Sequence, residues 1–318
     1  MPKDQPTIQM GIDAAASGDQ VVVAAGTYLE NIDFKGKAIQ VISSDGPGAT
    51  IIDGGHKSAT VSFHLGELRD SILSGFTITH GGSGYSAQGE GGGVAVTGAA
   101  PSIQSNVITA NDCHGVTLFR SGALVEGNTI SGSVDTDPDQ CDVSGSGVYI
   151  DEPSAVTQYP GAEVLGNVIE NNNQTDADLS DWYNHASGGG IYVNSGDGDI
   201  LENNVIRNNF ASSGSGGIVA WYTSHLIVFQ NIIYGNSTYG FGGGMMINSP
   251  ELDTPVEFMG VIANNTVQGN STLASGMPSD IFFGGSQSVF AFVDDLHAPA
   301  AHRLHCIPTE VEPAQQKQ

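Results

Sequence analysis

Residues 188–206 read GGGIYVNSGDGDILENNVI, and this stretch contains the pattern that decides the fold. Three glycines lead into an apolar-polar-apolar segment, Ile191 to Val193, and an Asn-Val-Ile sequence starts at Asn204, 204 − 191 = 13 residues after Ile191. Side chains of a strand alternate between its two faces, so Ile191 and Val193 share a face that Tyr192 does not. The stretch predicts a short strand, a turn and a second strand.

The same unit recurs along the chain. Its shortest full repeat is 116 − 94 = 22 residues, which is too short for a strand, a helix and a return. Repeats of this size cannot bury an apolar face alone and must stack, which predicts an all-β parallel β-helix. The predicted strands are Val94–Val96, Val116–Leu118, Val148–Ile150, Ile191–Val193, Ile218–Ala220, Met245–Ile247 and Ile281–Phe283. The recurrent asparagines are Asn106, Asn128, Asn167, Asn204, Asn231 and Asn265.

We interpret these asparagines as a structural ladder of inward-pointing side chains that bond to each other and to the backbone. Upstream, Thr7 to Ala16 predicts a short amphipathic helix that covers the open end of the first coil. The expected organisation is a cap helix in residues 1–20, a β-helix in residues 21–285, and one strand followed by a disordered tail in residues 286–318.

The chain is strongly acidic: 9 Lys and Arg against 34 Asp and Glu give a formal charge of −25. Such a charge repels phosphate backbones, so nucleic acid is not an expected partner. It favours neutral glycans, or acidic glycans bridged by a divalent cation. No run is apolar enough for a membrane span, and the first 20 residues lack a signal-peptide core, so the protein is either cytoplasmic or starts after a removed leader.

Three cysteines do not suggest a disulfide framework. Cys113 and Cys141 lie at similar points of consecutive repeats, so either one bridge forms in an exported protein or both are buried free thiols.

A family resemblance rests on the opening residues Thr7-Ile8-Gln9, Gly18-Asp19 and Gly26-Thr27-Tyr28, and on the later Gly188-Gly189-Gly190-Ile191-Tyr192-Val193. Over about residues 6 to 285 the chain resembles pectate-lyase-like right-handed β-helix proteins. That resemblance implies a right-handed coil. It implies no single activity, because the superfamily includes lyases, glycosidases, epimerases, tailspikes and non-catalytic surface proteins. Cys113-His114-Gly115-Val116 is only faintly similar to the Gly-His-Gly strand of polygalacturonases.

Outward-pointing positions of the stacked strands form two vertical rows. The second strand positions read Ala95, Thr117, Tyr149, Tyr192, Val219, Met246 and Phe282, and the fourth read Thr97, Phe119, Asp151, Asn194, Trp221 and Asn248. Coils about 4.8 Å apart make this a strip of roughly 15 to 20 Å, the length of several sugar units. Aromatic faces bind sugar C–H groups and the polar side chains bind hydroxyls, or else the aromatic residues only stabilise the sheet.

Two enlarged loops precede the strands of Tyr149 and Tyr192. We predict that these loops bind Ca²⁺, contact sugar and supply acid–base groups. The alternative is that they are acidic loops exposed to solvent without a function of this kind. The loop residues are Asp135, Asp137 and Asp139 for Ca²⁺, Trp182 and Tyr183 for sugar contact, and Asp181 and His185 for catalysis.

For uronate elimination, a base must remove the C5 proton and a cation must neutralise the carboxylate, a role that suits Arg120. The candidate catalytic groups are Asp151, Asp181, His185 and Arg120, and no cofactor is required apart from an optional Ca²⁺. We therefore expect a secreted or cell-surface polysaccharide-binding protein, monomeric or homotrimeric, that is either a lyase or a glycosidase. The alternative is a non-catalytic module that binds glycan or protein.

Overall fold

The structure is a computed structural model, and it describes residues 5–82, 91–134, 145–151, 159–175, 188–221, 225–248, 260–273, 276, 279–284, 291–293, 296–297 and 305–306. Within these residues one short helix is followed by stacked coils whose strands are all parallel. The predicted all-β, right-handed parallel β-helix is confirmed. None of the described residues belongs to a helix that is long and apolar enough to cross a membrane.

Three parallel sheets run along the described part of the chain, and each coil contributes one strand to each sheet. Sheet A consists of Gln20–Val23, Gln40–Ser43, Ile72–Ser74, Ser102–Gln104, Leu124–Glu126, Glu163–Leu165, Asp197–Glu202, His225–Phe229, Val261–Ala263 and Ala291–Val293. Sheet B consists of Gly26–Leu29, Thr50–Asp53, Thr77–Thr79, Val107–Thr109, Thr129–Ser131, Val168–Glu170, Val205–Arg207, Ile232–Tyr234, Thr266–Gln268 and Leu296–His297. Sheet C consists of Ile32–Asp33, Val61–Phe63, Val94–Thr97, Val116–Phe119, Val148–Asp151, Ile191–Asn194, Ile218–Trp221, Met245–Asn248, Ile281–Gly284 and His305–Cys306.

A smaller sheet lies at the corner between sheets B and C. Its strands are Asn173–Gln174, Phe210–Ala211, Ser237–Thr238 and Ser271–Thr272. The last strands of sheets A, B and C continue the coil beyond residue 285, where the sequence predicts one strand and a tail.

The core is a column of aliphatic side chains inside the coil. In sheet C the first and third residues of each strand point inward, so Ile191 and Val193 are completely buried. The strands of sheet C pair in constant register: Val116 aligns with Val148, which aligns with Ile191. Because the register is constant, side chains at equal positions stack directly above one another.

Asparagine ladders run up two inner corners of the coil. In the predicted ladder, Asn128 Nδ2 donates to Asn167 Oδ1 at 3.0 Å and Asn167 Nδ2 donates to Asn204 Oδ1 at 3.1 Å. The same pattern relates each coil to the next, and the Oδ1 atoms also accept backbone N–H groups. A second ladder, which the sequence interpretation missed, lies five residues later in each repeat: Asn172, Asn209, Asn236 and Asn270 bond to one another in the same way. Asn111 occupies the same corner but is separated from this ladder by Ser133 on the intervening coil.

The helix Ile8–Ala14 caps the first coil. Thr7 is its N-cap, with Oγ1 accepting from Met10 N at 3.1 Å, and the side chains of Ile8 and Ile12 are completely buried. The capping helix expected at this position is therefore present, over a slightly shorter range.

Candidate functional site

The outer face of sheet C brings together most of the described residues that the sequence singles out. Strand pairing aligns Phe119 with Asp151, Asp151 with Asn194, and Asn194 with Trp221, on four successive coils. All four side chains are partly exposed. We call this row, together with Tyr149 and Tyr192, the sheet C strip.

Asp151 is the polar centre of the strip. Its Oδ2 accepts from the Tyr149 hydroxyl at 3.2 Å, and its Oδ1 accepts from Asn194 Nδ2 at 3.1 Å. Asn194 Oδ1 in turn lies 3.5 Å from Ser195 Oγ. These bonds hold the carboxylate and the amide in one orientation, which is what a site needs for recognising hydroxyl groups.

An aromatic stack lies beside this polar row. The ring centroids of Tyr149 and Tyr192 are 5.8 Å apart with an interplanar angle of 12°, and those of His114 and Tyr149 are 5.2 Å apart at 13°. Tyr149 has both ring faces covered and is only 2% exposed. It therefore supports the strip and orients Asp151, while Tyr192 is the partly exposed ring of the stack.

The second residues of the sheet C strands point away from the core, yet several of them are more buried than that direction predicts. Ala95, Thr117 and Val219 point away from the core cluster, yet they are at most 1% exposed. Glycines that precede the sheet C strands lie close to this outer face of the sheet. A Cβ at Gly145 or Gly188 would lie 2.9 or 2.8 Å from Tyr192 Cβ, and both glycines have a positive φ, 78° and 76°. Only glycine combines that backbone conformation with so close an approach.

Arg120 follows the strip at a corner of the coil. Its backbone has a φ of 50°, and its N–H donates to Asp151 O at 2.9 Å. The guanidinium carbon lies 5.1 Å from the Phe119 ring centroid, a cation–π contact. Within the described part of the chain no carboxylate pairs with Arg120, whereas Arg69 and Arg207 are each paired with a glutamate. An exposed, unpaired guanidinium is suited to bind an anionic group of a ligand.

Seven of the predicted site residues lie outside the described residues. They are Asp135, Asp137, Asp139, Asp181, Trp182, Tyr183 and His185. Within the described ranges, no three His, Cys, Asp or Glu side chains are grouped so as to hold a metal ion. The loop residues and the optional Ca²⁺ therefore stay predictions.

His114 is the side chain of this site that sequence reasoning undervalued. It is 1% exposed, its Nδ1 lies 2.7 Å from Gly145 O, and it covers one face of Tyr149. The neighbouring Cys113 is disulfide-bonded, and its predicted partner Cys141 lies outside the described residues. The weak His-Gly-Val pattern includes His114, whose ring packs on Tyr149 in the structure.

A family model described as a right-handed beta helix region matches residues 139–279. The chain has the right-handed parallel β-helix fold. No curated protein sequence matches this β-helix chain.

Several solved structures are similar to this chain. The A-module of mannuronan C-5 epimerase AlgE4 from Azotobacter vinelandii is 16% identical, over 95% of this chain and 93% of that one, with a TM-score of 0.49. A pectin methyl esterase from rice weevil is 11% identical, over 93% and 87%, with a TM-score of 0.38. The receptor binding domain of the Siphovirus 9NA tailspike is 11% identical, over 95% and 77%, with a TM-score of 0.26. At these identities the likeness concerns the β-helix alone.

Proposed function

We propose that this β-helix protein binds a polysaccharide lengthwise along the sheet C strip. The observation that carries the proposal is an aligned row across four coils, in which two partly exposed rings flank a carboxylate and an amide: Phe119, Asp151, Asn194 and Trp221. Rings offer flat apolar faces to sugar C–H groups, and a fixed carboxylate and amide bind hydroxyl groups. A linear ligand is favoured because the row is straight and repeats about every 4.8 Å.

For a catalytic role, the described groups suit elimination from a uronate better than hydrolysis of a glycoside. Hydrolysis needs two carboxyl groups roughly 5 to 10 Å apart, and Asp151 is the one carboxylate among the described residues of the strip. Elimination needs a cation for the uronate carboxylate, and Arg120 is an exposed guanidinium next to the strip. Under this proposal His185 or Tyr183, from the adjoining loop, supplies the acid or base, and Asp181 belongs to the same loop.

A non-catalytic binding module is the second candidate, and one observation favours it. Both oxygens of Asp151 already accept hydrogen bonds from Tyr149 and Asn194, and Tyr149 is buried. Such a network fixes the shape of the strip without leaving a group poised for proton transfer.

We further propose that the protein acts outside the cell or at its surface, as a monomer or a homotrimer. The disulfide at Cys113 supports an oxidising compartment, because reducing conditions keep such thiols unpaired.

Affinity electrophoresis against a panel of neutral and uronate polysaccharides tests the binding proposal. Trp221→Ala removes the ring at one end of the row, and we expect a loss of affinity of at least about fivefold, since a stacked ring contributes roughly 1 kcal/mol or more. Phe229→Ala is the matched control, because Phe229 is a partly exposed ring on the outer face of sheet A. Equal binding by wild type and Trp221→Ala would overturn the proposal.

Product analysis separates the two candidates. The same polysaccharides are incubated with the protein, with and without Ca²⁺, and both new reducing ends and the absorbance of unsaturated products are measured. Reducing ends accompanied by absorbance indicate elimination, and Arg120→Ala should abolish them. Binding without either product assigns the protein to the non-catalytic module.

A further inference from the structure

A histidine–aspartate cluster lies outside the sheet C strip, at the ends of three successive strands of sheet B. Asp53 ends one strand and His56 follows it, His80 follows the next strand, and Asp112 follows the third. Because the coils stack in register, these four side chains from distant parts of the sequence meet at one corner of the coil.

Each histidine is held by a carboxylate through the same ring nitrogen. His80 Nδ1 lies 3.0 Å from Asp53 Oδ2, and His56 Nδ1 lies 2.8 Å from Asp112 Oδ2. The two rings contact each other, with centroids 4.8 Å apart and an interplanar angle of 33°. The pair is thus braced on both sides, by carboxylates from two different coils.

These contacts decide which nitrogen of each ring carries the proton. A carboxylate only accepts, so each Nδ1 is the donor and Nε2 keeps its lone pair in the neutral ring. Asp53 Oδ1 also accepts from Gly55 N–H at 2.9 Å, which fixes the carboxylate behind His80. Orientation of a histidine by a carboxylate behind it is typical of metal ligands.

Both imidazoles are accessible. The side chains of His56 and His80 are 56% and 42% exposed, whereas Asp112 and Asp53 behind them are 18% and 23% exposed. Both histidines also have left-handed backbones, with φ of 55° and 53°. The same conformation recurs directly after other strands of sheet B, for example at Ala110, so at His80 it belongs to the turn of the coil.

We propose that His56 and His80 bind one divalent transition-metal ion through their two Nε2 atoms, with Asp53 and Asp112 as positioning residues behind them. The remaining coordination positions belong to water, since no third His, Cys, Asp or Glu joins an ion-holding group in the described residues. Imidazole nitrogens select Zn²⁺, Ni²⁺ or Cu²⁺ over Ca²⁺, which prefers oxygen ligands.

Calorimetric titration of the tag-free, chelator-treated full chain with Ni²⁺ and Zn²⁺ tests the proposal. We expect saturable binding that is lost in His56→Asn and in His80→Asn; asparagine is chosen because it tolerates a positive φ. Asp53→Asn and Asp112→Asn should weaken binding about 10- to 100-fold while leaving both imidazoles in place. Ca²⁺ should not compete.

Two control variants separate this pair from the other histidines. His64→Asn removes a histidine that also contacts a carboxylate, Asp33 at 3.1 Å, but that stacks on no second imidazole among the described residues, and this variant should bind metal as wild type does. His302→Ala with His305→Ala removes the two histidines that lie closest together in the sequence, and this variant should also bind metal as wild type does. Absence of metal binding by wild type, or undiminished binding by the doubly substituted His56→Asn, His80→Asn protein, overturns the proposal. Long-range ¹H–¹⁵N spectra of the histidine rings provide a second readout: protonated Nε2 in both rings of the metal-free protein would also contradict it.

Discussion

Asn167 shows how one buried side chain joins neighbouring coils. Its Oδ1 accepts from both Asn128 N and Asn128 Nδ2, and its Nδ2 donates to Val125 O and to Asn204 Oδ1. Removal of this amide leaves donors and acceptors of both neighbours unpaired where water does not reach them. Each such buried group costs about 1 to 3 kcal/mol.

We therefore expect Asn167→Ala to lower the free energy of unfolding by roughly 3 kcal/mol or more, measured by urea denaturation. Asn171→Gly is the control, because Asn171 is exposed and its φ of 57° suits glycine. A loss for Asn167→Ala no larger than that for Asn171→Gly would show that the ladder does not stabilise the fold.

Asp53 predicts a pH dependence of stability. Its pKa in the folded protein lies below the unfolded value of about 3.9, so between the two values the unfolded chain binds more protons. Its contribution is present above the unfolded pKa and is lost as the pH falls through the folded pKa. Asp53→Asn should therefore flatten the rise of unfolding free energy with pH across the acidic range. Asp70→Asn removes the same charge from an exposed side chain, and an equal flattening in both variants would contradict the assignment to Asp53.

Single residues also show that the exposure of a side chain cannot be predicted from the sequence pattern alone. Alternation along the strand correctly predicts that Tyr149 points out of the core, but the sequence does not reveal that His114 and Tyr192 cover its ring. The direction of a side chain follows from the local backbone geometry of its strand. Its exposure to solvent depends on residues from other parts of the coil that pack on the outer face of the sheet. The same distinction explains why Thr117 and Val219 are buried although they face outward.

Among the elements, the cap helix is stabilised by charges at both ends. Glu30 Oε1 and Oε2 accept from Ile8 N and Gln9 N, each at 3.0 Å, and Lys37 Nζ donates to the carbonyls of Ile12, Asp13 and Ala15 at 2.7 to 2.9 Å. An anion at the N-terminus and a cation at the C-terminus both complement the helix dipole.

Lys37→Met keeps most of the side-chain volume and removes these bonds. We expect a loss of roughly 1 kcal/mol or more in unfolding free energy. Hydrogen exchange of the cap helix amides should quicken, because the helix ends lose their partners. Lys57→Met is the control, as Lys57 is exposed and no hydrogen bond or ion pair of its side chain occurs in the described residues. Unchanged exchange in the cap of Lys37→Met would contradict this account.

The second asparagine ladder was visible in the repeat but was not recognised. Asn167-Val168-Ile169 is followed by Asn172, and Asn204-Val205-Ile206 by Asn209, so the unit carries two asparagines five residues apart. A strand of sheet B lies between the two asparagines of each repeat, so the asparagines occupy two different inner corners. Each corner needs a side chain that forms hydrogen bonds with its buried backbone groups. Position in the repeat was sufficient to predict both ladders.

For the whole molecule, the coil is predictable because most repeats between residues 91 and 270 give the same local signal: glycines before the strand, an alternating strand and a corner asparagine. The candidate site is only partly predictable. Register follows from the repeat, so the alignment of Phe119, Asp151, Asn194 and Trp221 could be predicted. The absence of a carboxylate partner for Arg120 among the described residues could not be predicted, because it depends on where carboxylates from other coils lie.

The central claim, that a polysaccharide lies along the sheet C strip, can be tested at Trp221 itself. The chain has two tryptophans, Trp182 and Trp221, so Trp182→Phe leaves Trp221 as the only indole fluorophore. An oligosaccharide identified in the polysaccharide screen is titrated into this variant while the quenching of Trp221 fluorescence by acrylamide is recorded. We predict that saturation with the sugar lowers the quenching constant at least about twofold, since a stacked sugar shields the ring. Saturable binding of the sugar with unchanged quenching of Trp221 would contradict the claim.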